Sequence, residues 1–228
     1  MEIRFPELSV SALYGEPEHS IAYGYLSSFV YPWEALDGLK DFILSLGRTL
    51  PAAEYEERSE NVWTARTASV APSALLNGPL IVCPGAEIRH CAFLRGSAIV
   101  GANAVVGNSV ELKNCILFDG VQVPHFNYVG DSVLGYRAHL GAGAVTSNIK
   151  SDRTDVCVRT PHGSFPTGRR KCGAMLGDYA EIGCNSVLNP GTVVGRNATV
   201  YPLTPVRGFI PADSICKGKD VIVKKRSD

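Results

Sequence analysis

Aliphatic side chains return at every sixth position along the middle of the chain. The first run consists of Val70, Leu76, Val82, Ile88, Leu94, Val100, Val106 and Leu112. Phe118 and Pro124 continue this phase with less suitable side chains, the phase slips near Val129, and Leu134 and Leu140 resume it. A second run consists of Leu176, Ile182, Leu188, Val194, Val200 and Val206.

A period of six residues fits neither the 3.6-residue turn of an α-helix nor the two-residue alternation of a simple strand. It fits a short strand followed by a turn, repeated so that three such units form one triangular rung. Each rung leaves apolar faces above and below, so rungs must stack. The pattern therefore predicts a mainly β protein, a left-handed parallel β-helix over residues 61–215. An antiparallel sandwich with regular turns is the alternative, but its strands vary in length and phase.

The regions outside the repeat have a different character. Residues 1–60 contain apolar positions at helical spacing (Leu36, Leu39, Phe42, Ile43 and Leu46), with Pro32 before them and Gly47 at their end, which predicts a helical N-terminal cap. A cluster of aromatic residues in this cap could instead form a docking surface; it comprises Tyr23, Tyr25, Phe29, Tyr31 and Trp33. Residues 216–228 predict a short closing strand with a basic end. Residues 149–175 interrupt the repeat, and we expect a loop that projects from one corner and contributes to a functional surface.

Composition narrows the function classes. Lys plus Arg equals Asp plus Glu at 22 each among 228 residues, which gives no electrostatic argument for nucleic acid or an anionic membrane as a partner. No apolar stretch reaches the length of about 18 residues that a transmembrane helix needs, and the N-terminal residues do not resemble a signal peptide. The seven cysteines include no CxxC pair, so we expect free thiols, no metal site and a cytoplasmic protein.

Polar residues that the repeat does not require cluster between 110 and 148. His125 is a candidate general base, and Glu111 on the preceding repeat is a carboxylate that could orient it. Lys113, Tyr128 and Asn148 follow at rung-like separations and could bind a substrate.

The strings VELKN, HFNYVGDS and LGAGAVTSN, in this order and spacing, carry a resemblance to a known family. The chain resembles the acetyltransferase domain of the bifunctional N-acetylglucosamine-1-phosphate uridylyltransferase/glucosamine-1-phosphate acetyltransferase enzymes. It also resembles stand-alone UDP-N-acetylglucosamine pyrophosphorylase-related proteins. The resemblance covers about residues 62–210 and implies an acetyl-CoA-dependent acetyltransferase that acts on an amino-sugar phosphate such as glucosamine 1-phosphate.

The resemblance implies a role for each matching residue. His125 would take the proton of the sugar amine, Glu111 would orient His125, and the backbone N–H of Ala142 would stabilise the oxyanion. Cys184 would line the acetyl-CoA cleft. The remaining matches would bind the sugar phosphate: Arg95, Lys113 and Lys171 its phosphate, Tyr128 and Asn148 its sugar.

Other readings stay open at this point. The segment Tyr201–Leu203 could fill the acetyl-CoA groove, which would leave a non-catalytic binding or assembly subunit that partners a nucleotidyltransferase. A zinc enzyme of the carbonic anhydrase type would need three histidines, here His90, His125 and His139, to converge on zinc across a subunit interface. The triangular shape and the resemblance both favour a homotrimer.

Overall fold

The computed structural model describes residues 4–218 and 221–226 and confirms the predicted parallel β-helix. Its strands stack in three faces. The first face contains β2 (Val62–Ala65), β5 (Leu80–Val82), β8 (Ala98–Val100), the ends of β10 (Glu111–Leu117) and β12 (Tyr128–Leu134), β17 (Ala174–Leu176), β20 (Thr192–Val194) and β23 (Phe209–Ile210). The second contains β3 (Ser69–Val70), β6 (Glu87–Ile88), β9 (Val105–Asn108), β11 (Gln122–His125), β13 (His139–Leu140), β18 (Glu181–Ile182), β21 (Thr199–Val200) and β24 (Ser214–Gly218). The third contains β4 (Leu75–Leu76), β7 (Phe93–Leu94), the beginnings of β10 and β12, β14 (Val145–Thr146), β19 (Val187–Leu188) and β22 (Pro205–Val206).

The rung is 18 residues long where it is regular, as in the pairing of Leu80 with Ala98. Two rungs have only 17 residues, because the corner between the third and first faces is shorter at Asn114 and at Asp131. The phase prediction for Phe118 and Pro124 is therefore wrong. The strand residues at these two places are Leu117, which pairs with Val100, and Val123, which pairs with Val106.

The first face is apolar on both of its sides. Its strands read as fully buried triplets, such as Leu80–Val82 and Ala98–Val100. Successive residues of a strand point to opposite sides, so a fully buried triplet needs cover outside the coil as well as inside. The helical N-terminal segment covers β5, β8, β10 and β12, and the hairpin of the insertion covers β20 and β23.

The predicted N-terminal helices are confirmed, and they lie along the first face. They are α1 (Val10–Leu13), α2 (Tyr23–Leu26) and α3 (Leu39–Gly47), with short 3-10 turns at Pro6–Leu8, Pro17–His19 and Pro32–Leu36. Helix α3 contacts β5, β8 and β10, and the turn at Pro32–Leu36 contacts β12. No helix in the described part of the chain is long and apolar enough to cross a membrane.

Antiparallel hairpins protect the two ends of the stack. Strand β1 (Tyr55–Ser59) pairs with β2 at the first rung, and β25 (Val221–Lys224) pairs with β24 at the last. The closing strand expected in 216–228 is thus present, while residues 219, 220, 227 and 228 of that expectation lie outside the described residues. Pairing of this kind covers the open strand edges.

The insertion contains a hairpin of its own, β15 (Cys157–Thr160) and β16 (Gly163–Pro166). Its Phe165 packs against Tyr31 and Trp33 of the N-terminal segment, at ring-centroid distances of 4.7 and 5.8 Å. Arg169 forms an ion pair with Asp37 of the same segment. The coil resumes at Ala174, because residues 174–176 already form the buried strand β17.

Candidate functional site

Three of the residues expected at an acyl-transfer site lie on consecutive rungs at one corner. This corner joins the second face to the third, and we call it the second corner. The backbone N–H of Gly143 donates to the carbonyl of His125 at 3.0 Å, and that of Asn185 donates to the carbonyl of Ala142 at 2.8 Å. His125, Ala142 and Cys184 therefore follow one another along the stack, roughly 4.8 Å apart, the spacing of hydrogen-bonded strands.

The turn that carries His125 is held by a residue that sequence reasoning missed. The side chain of Asn127 is buried and accepts a hydrogen bond from the backbone N–H of His125 at 3.1 Å. Its amide donates to the carbonyls of Gly141 and Ala144, both at 2.9 Å, and so ties this rung to the next. The imidazole itself lies on an exposed residue and can reach a ligand. The only sequence signal was an amide side chain in a corner turn.

Glu111 lies on the rung before Tyr128 but contacts Arg95 rather than His125. Its Oε1 accepts a hydrogen bond from Arg95 Nη1 at 2.7 Å. No hydrogen bond joins the side chains of Glu111 and His125 anywhere in the described chain. The structure therefore brings together the expected orienting carboxylate and one of the expected phosphate-binding cations.

Tyr128 and Asn148 contact each other within a larger polar network. Asn148 Nδ2 lies 3.2 Å from the Tyr128 hydroxyl and donates to Asp131 Oδ2 at 2.6 Å. Asp131 Oδ1 accepts a second hydrogen bond from Asn114 Nδ2 at 2.8 Å, and Asp131 is buried. Burial first, and then the charges of Asp131 and Glu111, raise the pKa of Tyr128, so its hydroxyl stays a hydrogen-bond donor.

The two lysines expected at the phosphate lie at different places. Lys113 is half-buried on the third face and pairs in register with Gly130. Lys171 is exposed and forms an isolated bridge with Ile149, next to Asn148, whose carbonyl accepts from the backbone N–H of Cys172 at 2.9 Å. Lys171 thus belongs to the base of the insertion.

The second corner also contains Ala142, which the resemblance assigns to the oxyanion, and Cys184, which it assigns to the acetyl-CoA cleft. Ala142 is a half-exposed residue, and its backbone N–H has no acceptor within the described residues. Cys184 is exposed. On the rung after Cys184, Tyr201 and Leu203 are 43% and 75% exposed, so they stand at the far end of the same corner.

The three histidines of the zinc alternative do not converge within one chain. His90 Nδ1 lies 2.7 Å from Ser73 Oγ, and His139 Nδ1 lies 2.8 Å from Glu181 Oε2 on the second face. The one group of potential metal ligands found among residues 4–218 and 221–226 is Glu16, Glu18 and His19, on the N-terminal segment.

Several known proteins are similar to this chain in sequence. The sequence model of one protein family, the GMPPB C-terminal domain, matches residues 60–160. The bifunctional protein GlmU of Methanococcus maripaludis is 29% identical over 208 residues, which are 90% of this chain and 50% of that protein. The bifunctional sugar-1-phosphate nucleotidylyltransferase/acetyltransferase of Sulfurisphaera tokodaii is 35% identical over 111 residues, 49% of this chain and 28% of that protein. The chain thus spans half or less of the length of these relatives.

A solved structure of AntD, an N-acyltransferase from Bacillus cereus in complex with dTDP-4-amino-4,6-dideoxyglucose and coenzyme A, aligns with a TM-score of 0.41 and 15% identity. The alignment covers 74% of this chain and 82% of that chain.

The resemblance carried by the sequence strings is confirmed: the chain is a sequence relative of the GlmU-type bifunctional sugar-1-phosphate nucleotidyltransferase/acetyltransferases.

Proposed function

We propose that this chain is a CoA-dependent N-acetyltransferase that acts on the amino group of a sugar phosphate, such as glucosamine 1-phosphate. The observation that carries the proposal is the order of His125, Ala142 and Cys184 on consecutive rungs of the second corner. A base, a free backbone donor and a cleft position then lie in one line along the stack. The matches to acetyltransferases add support from sequence.

The reaction follows from these positions. The sugar amine attacks the thioester carbonyl of acetyl-CoA, a C–N bond forms, and His125 accepts the amine proton. The oxyanion of the tetrahedral intermediate accepts a hydrogen bond from the N–H of Ala142. Collapse breaks the C–S bond, and the proton passes from His125 to the CoA thiolate. The products are the N-acetyl sugar phosphate and free CoA.

Glu111 and Arg95 give the site a way to respond to substrate. A phosphate bound by Arg95 competes with Glu111 for the guanidinium group, since both are anions that suit its planar donors. Glu111 is then free to turn toward His125, one rung further along the stack. The orienting role of Glu111 is therefore proposed for the substrate-bound state, with Lys113, Tyr128 and Asn148 contacting the sugar phosphate.

The proposed assembly is a homotrimer in the cytoplasm. Leu75, Phe126 and Leu203, which are 56%, 62% and 75% exposed, lie on the third face and the second corner and provide apolar surface for a second copy. All seven cysteines are free, as suits a reducing compartment. Light scattering of the purified protein tests the trimer, and a monomer at micromolar concentration would contradict it.

A second candidate is a non-catalytic sugar-phosphate or nucleotide-sugar binding subunit that partners a nucleotidyltransferase. The exposed Tyr201 and Leu203 favour it, because they occupy the second corner one rung beyond Cys184. A pantetheine arm that continues along the corner would meet them.

The test is acetyl transfer measured by mass spectrometry of the sugar product. Wild-type protein is incubated with acetyl-CoA and glucosamine 1-phosphate. His125→Ala should lower kcat by about 100-fold or more, the usual contribution of a general base. His90→Ala is the matched control, because His90 lies at the same corner two rungs earlier, and it should keep the wild-type rate. Equal rates for His125→Ala and wild type would overturn the assignment.

A further inference from the structure

The insertion concentrates positive charge in a chain that is neutral overall. Residues 149–173 contain six basic residues and two acidic ones, Asp152 and Asp155. The basic residues are Lys150, Arg153, Arg159, Arg169, Arg170 and Lys171. Such a local excess attracts an anion.

A cleft of about 480 Å³ lies between the inserted hairpin and the corner that joins the third face to the first. Lys150, Arg159 and Arg207 line it, together with Ser147 and Asn189. Arg159 and Arg207 are exposed, and neither forms an ion pair with any residue in the described part of the chain. Asp152 also lines the cleft and pairs with Lys150 at 3.4 Å. Arg159 of the hairpin and Arg207 of the coil have no such acidic partner, and guanidinium groups are suited to bind a phosphate group.

The packing of the hairpin fixes the position of Arg159. Val156 and Val158 are fully buried, so the alternation of β15 directs Cys157 and Arg159 toward the cleft. The hairpin lies directly on the corner that contains Gly208, where an added Cβ would come within 2.5 Å of the Arg159 carbonyl oxygen. Gly208 also has a φ of +84°, a conformation that glycine adopts without strain.

A second, more apolar chamber of about 620 Å³ adjoins the cleft at the end of the coil. It shares Arg159, Asn189 and Arg207 with the cleft, and Pro205 and Phe209 are among its apolar residues. A ligand whose anionic part lies between the arginines can therefore place a flat, partly apolar group here. Nucleobases have such a surface and stack on aromatic side chains and arginine.

We propose that the cleft binds the diphosphate of a nucleotide-activated amino sugar, with the nucleoside in the chamber and the sugar directed toward Tyr128 and Asn148. The proposal rests on the acetyltransferase function above and extends its substrates from sugar phosphates to amino sugars activated by a nucleoside diphosphate. Tyr128, Val145, Val187 and Pro205 pair in succession along the third face, so Arg207 lies three rungs beyond Tyr128. Three rungs are roughly 14 Å, a span that a sugar monophosphate bound beside Arg95 does not cover.

The test is isothermal titration of UDP, GDP, dTDP and inorganic pyrophosphate, each separately, into the full-length protein. At least one nucleoside diphosphate should bind wild type at least ten times more tightly than pyrophosphate does. Arg159→Ala and Arg207→Ala should each weaken that binding about tenfold or more, as expected for a lost charge-assisted hydrogen bond. Arg58→Ala, an exposed arginine on β1 at the other end of the coil, is the charge-matched control and should bind like wild type.

Three results would overturn the proposal: no binding of any nucleoside diphosphate to wild type, unchanged affinity in both cleft variants, or equal affinity for pyrophosphate. None of them depends on turnover. Acetylation of glucosamine 1-phosphate by the same preparation would then leave the acetyltransferase function standing while the nucleotide site fails.

Discussion

Asp131 is the residue whose removal should most disturb both the coil and the proposed sugar site. It occupies a shortened corner between the third and first faces with a φ of +48°. Its buried carboxylate accepts hydrogen bonds from Asn114 at 2.8 Å and from Asn148 at 2.6 Å. Asp131→Ala removes both acceptors and leaves two amide groups without these partners.

The size of the effect can be worked out from these contacts. Each hydrogen bond to a charged group contributes about 1.5–3 kcal/mol. Asn114 and Asn148 are only partly buried, so water replaces some of the loss and the lower end applies to each. Alanine is also less tolerant than aspartate of positive φ, at a cost of up to about 1 kcal/mol. Asp131→Ala should therefore lower the free energy of unfolding by about 4 kcal/mol, and Asp131→Asn, which keeps one acceptor and tolerates positive φ, by about 2 kcal/mol.

Urea unfolding followed by circular dichroism gives both values from the midpoints at constant slope. The same variants should bind the sugar phosphate more weakly, because Asn148 is no longer held beside the Tyr128 hydroxyl. A loss below about 1 kcal/mol in Asp131→Ala, or a larger loss in Asp131→Asn than in Asp131→Ala, would refute the reasoning, since a single charge-assisted hydrogen bond already exceeds that value.

Three further predictions concern other parts of the molecule. Gly208→Ala should displace the inserted hairpin and increase its cleavage by protease. Gly24→Ala is the control and should not, because an added Cβ there meets nothing within 4 Å. Equal cleavage of the two variants would contradict this packing. Burial raises the pKa of Asp178, so the folded protein binds that proton more tightly than the unfolded chain does, and stability should fall as pH rises from about 4 through the folded pKa. Asp178→Asn should flatten that decline in unfolding measurements across pH, and an unchanged slope would count against it. Acetyl-CoA should slow native-state alkylation of the exposed Cys184 but not of the exposed Cys91, and equal rates at Cys184 with and without acetyl-CoA would argue against a cleft there.

The β-helix could be predicted from the sequence because the six-residue period follows from the geometry of a stacked rung. It did not predict which face the N-terminal helices cover, although fully apolar triplets such as Leu80–Val82 indicate a strand buried on both sides. The sequence also predicted the wrong phase for Phe118, because it does not show where a corner is shortened. A corner one residue shorter leaves the period intact on either side, and only the pairing of Val100 with Leu117 reveals the shift.

The candidate site was predicted in part. Residues 17 or 18 positions apart share a corner, which aligned Ala142 with His125, and Cys184 joins them 42 positions later because the insertion lies between the two rungs. The partner of Glu111 could not be predicted, because Arg95 lies on the rung before Glu111 and His125 on the rung after it, and only side-chain geometry distinguishes them. The insertion has no regular hydrophobic period, so neither its hairpin nor the cleft beside it could be predicted from the sequence.

The most direct test of the central claim is isothermal titration of acetyl-CoA into the purified protein, with and without glucosamine 1-phosphate. The acetyltransferase account predicts micromolar binding of acetyl-CoA at the second corner, additional heat of turnover when the sugar phosphate is present, and loss of that heat but not of the binding in His125→Ala. Absence of acetyl-CoA binding while the sugar phosphate still binds would contradict it and would identify Tyr201 and Leu203 as residues that close the groove of a binding subunit.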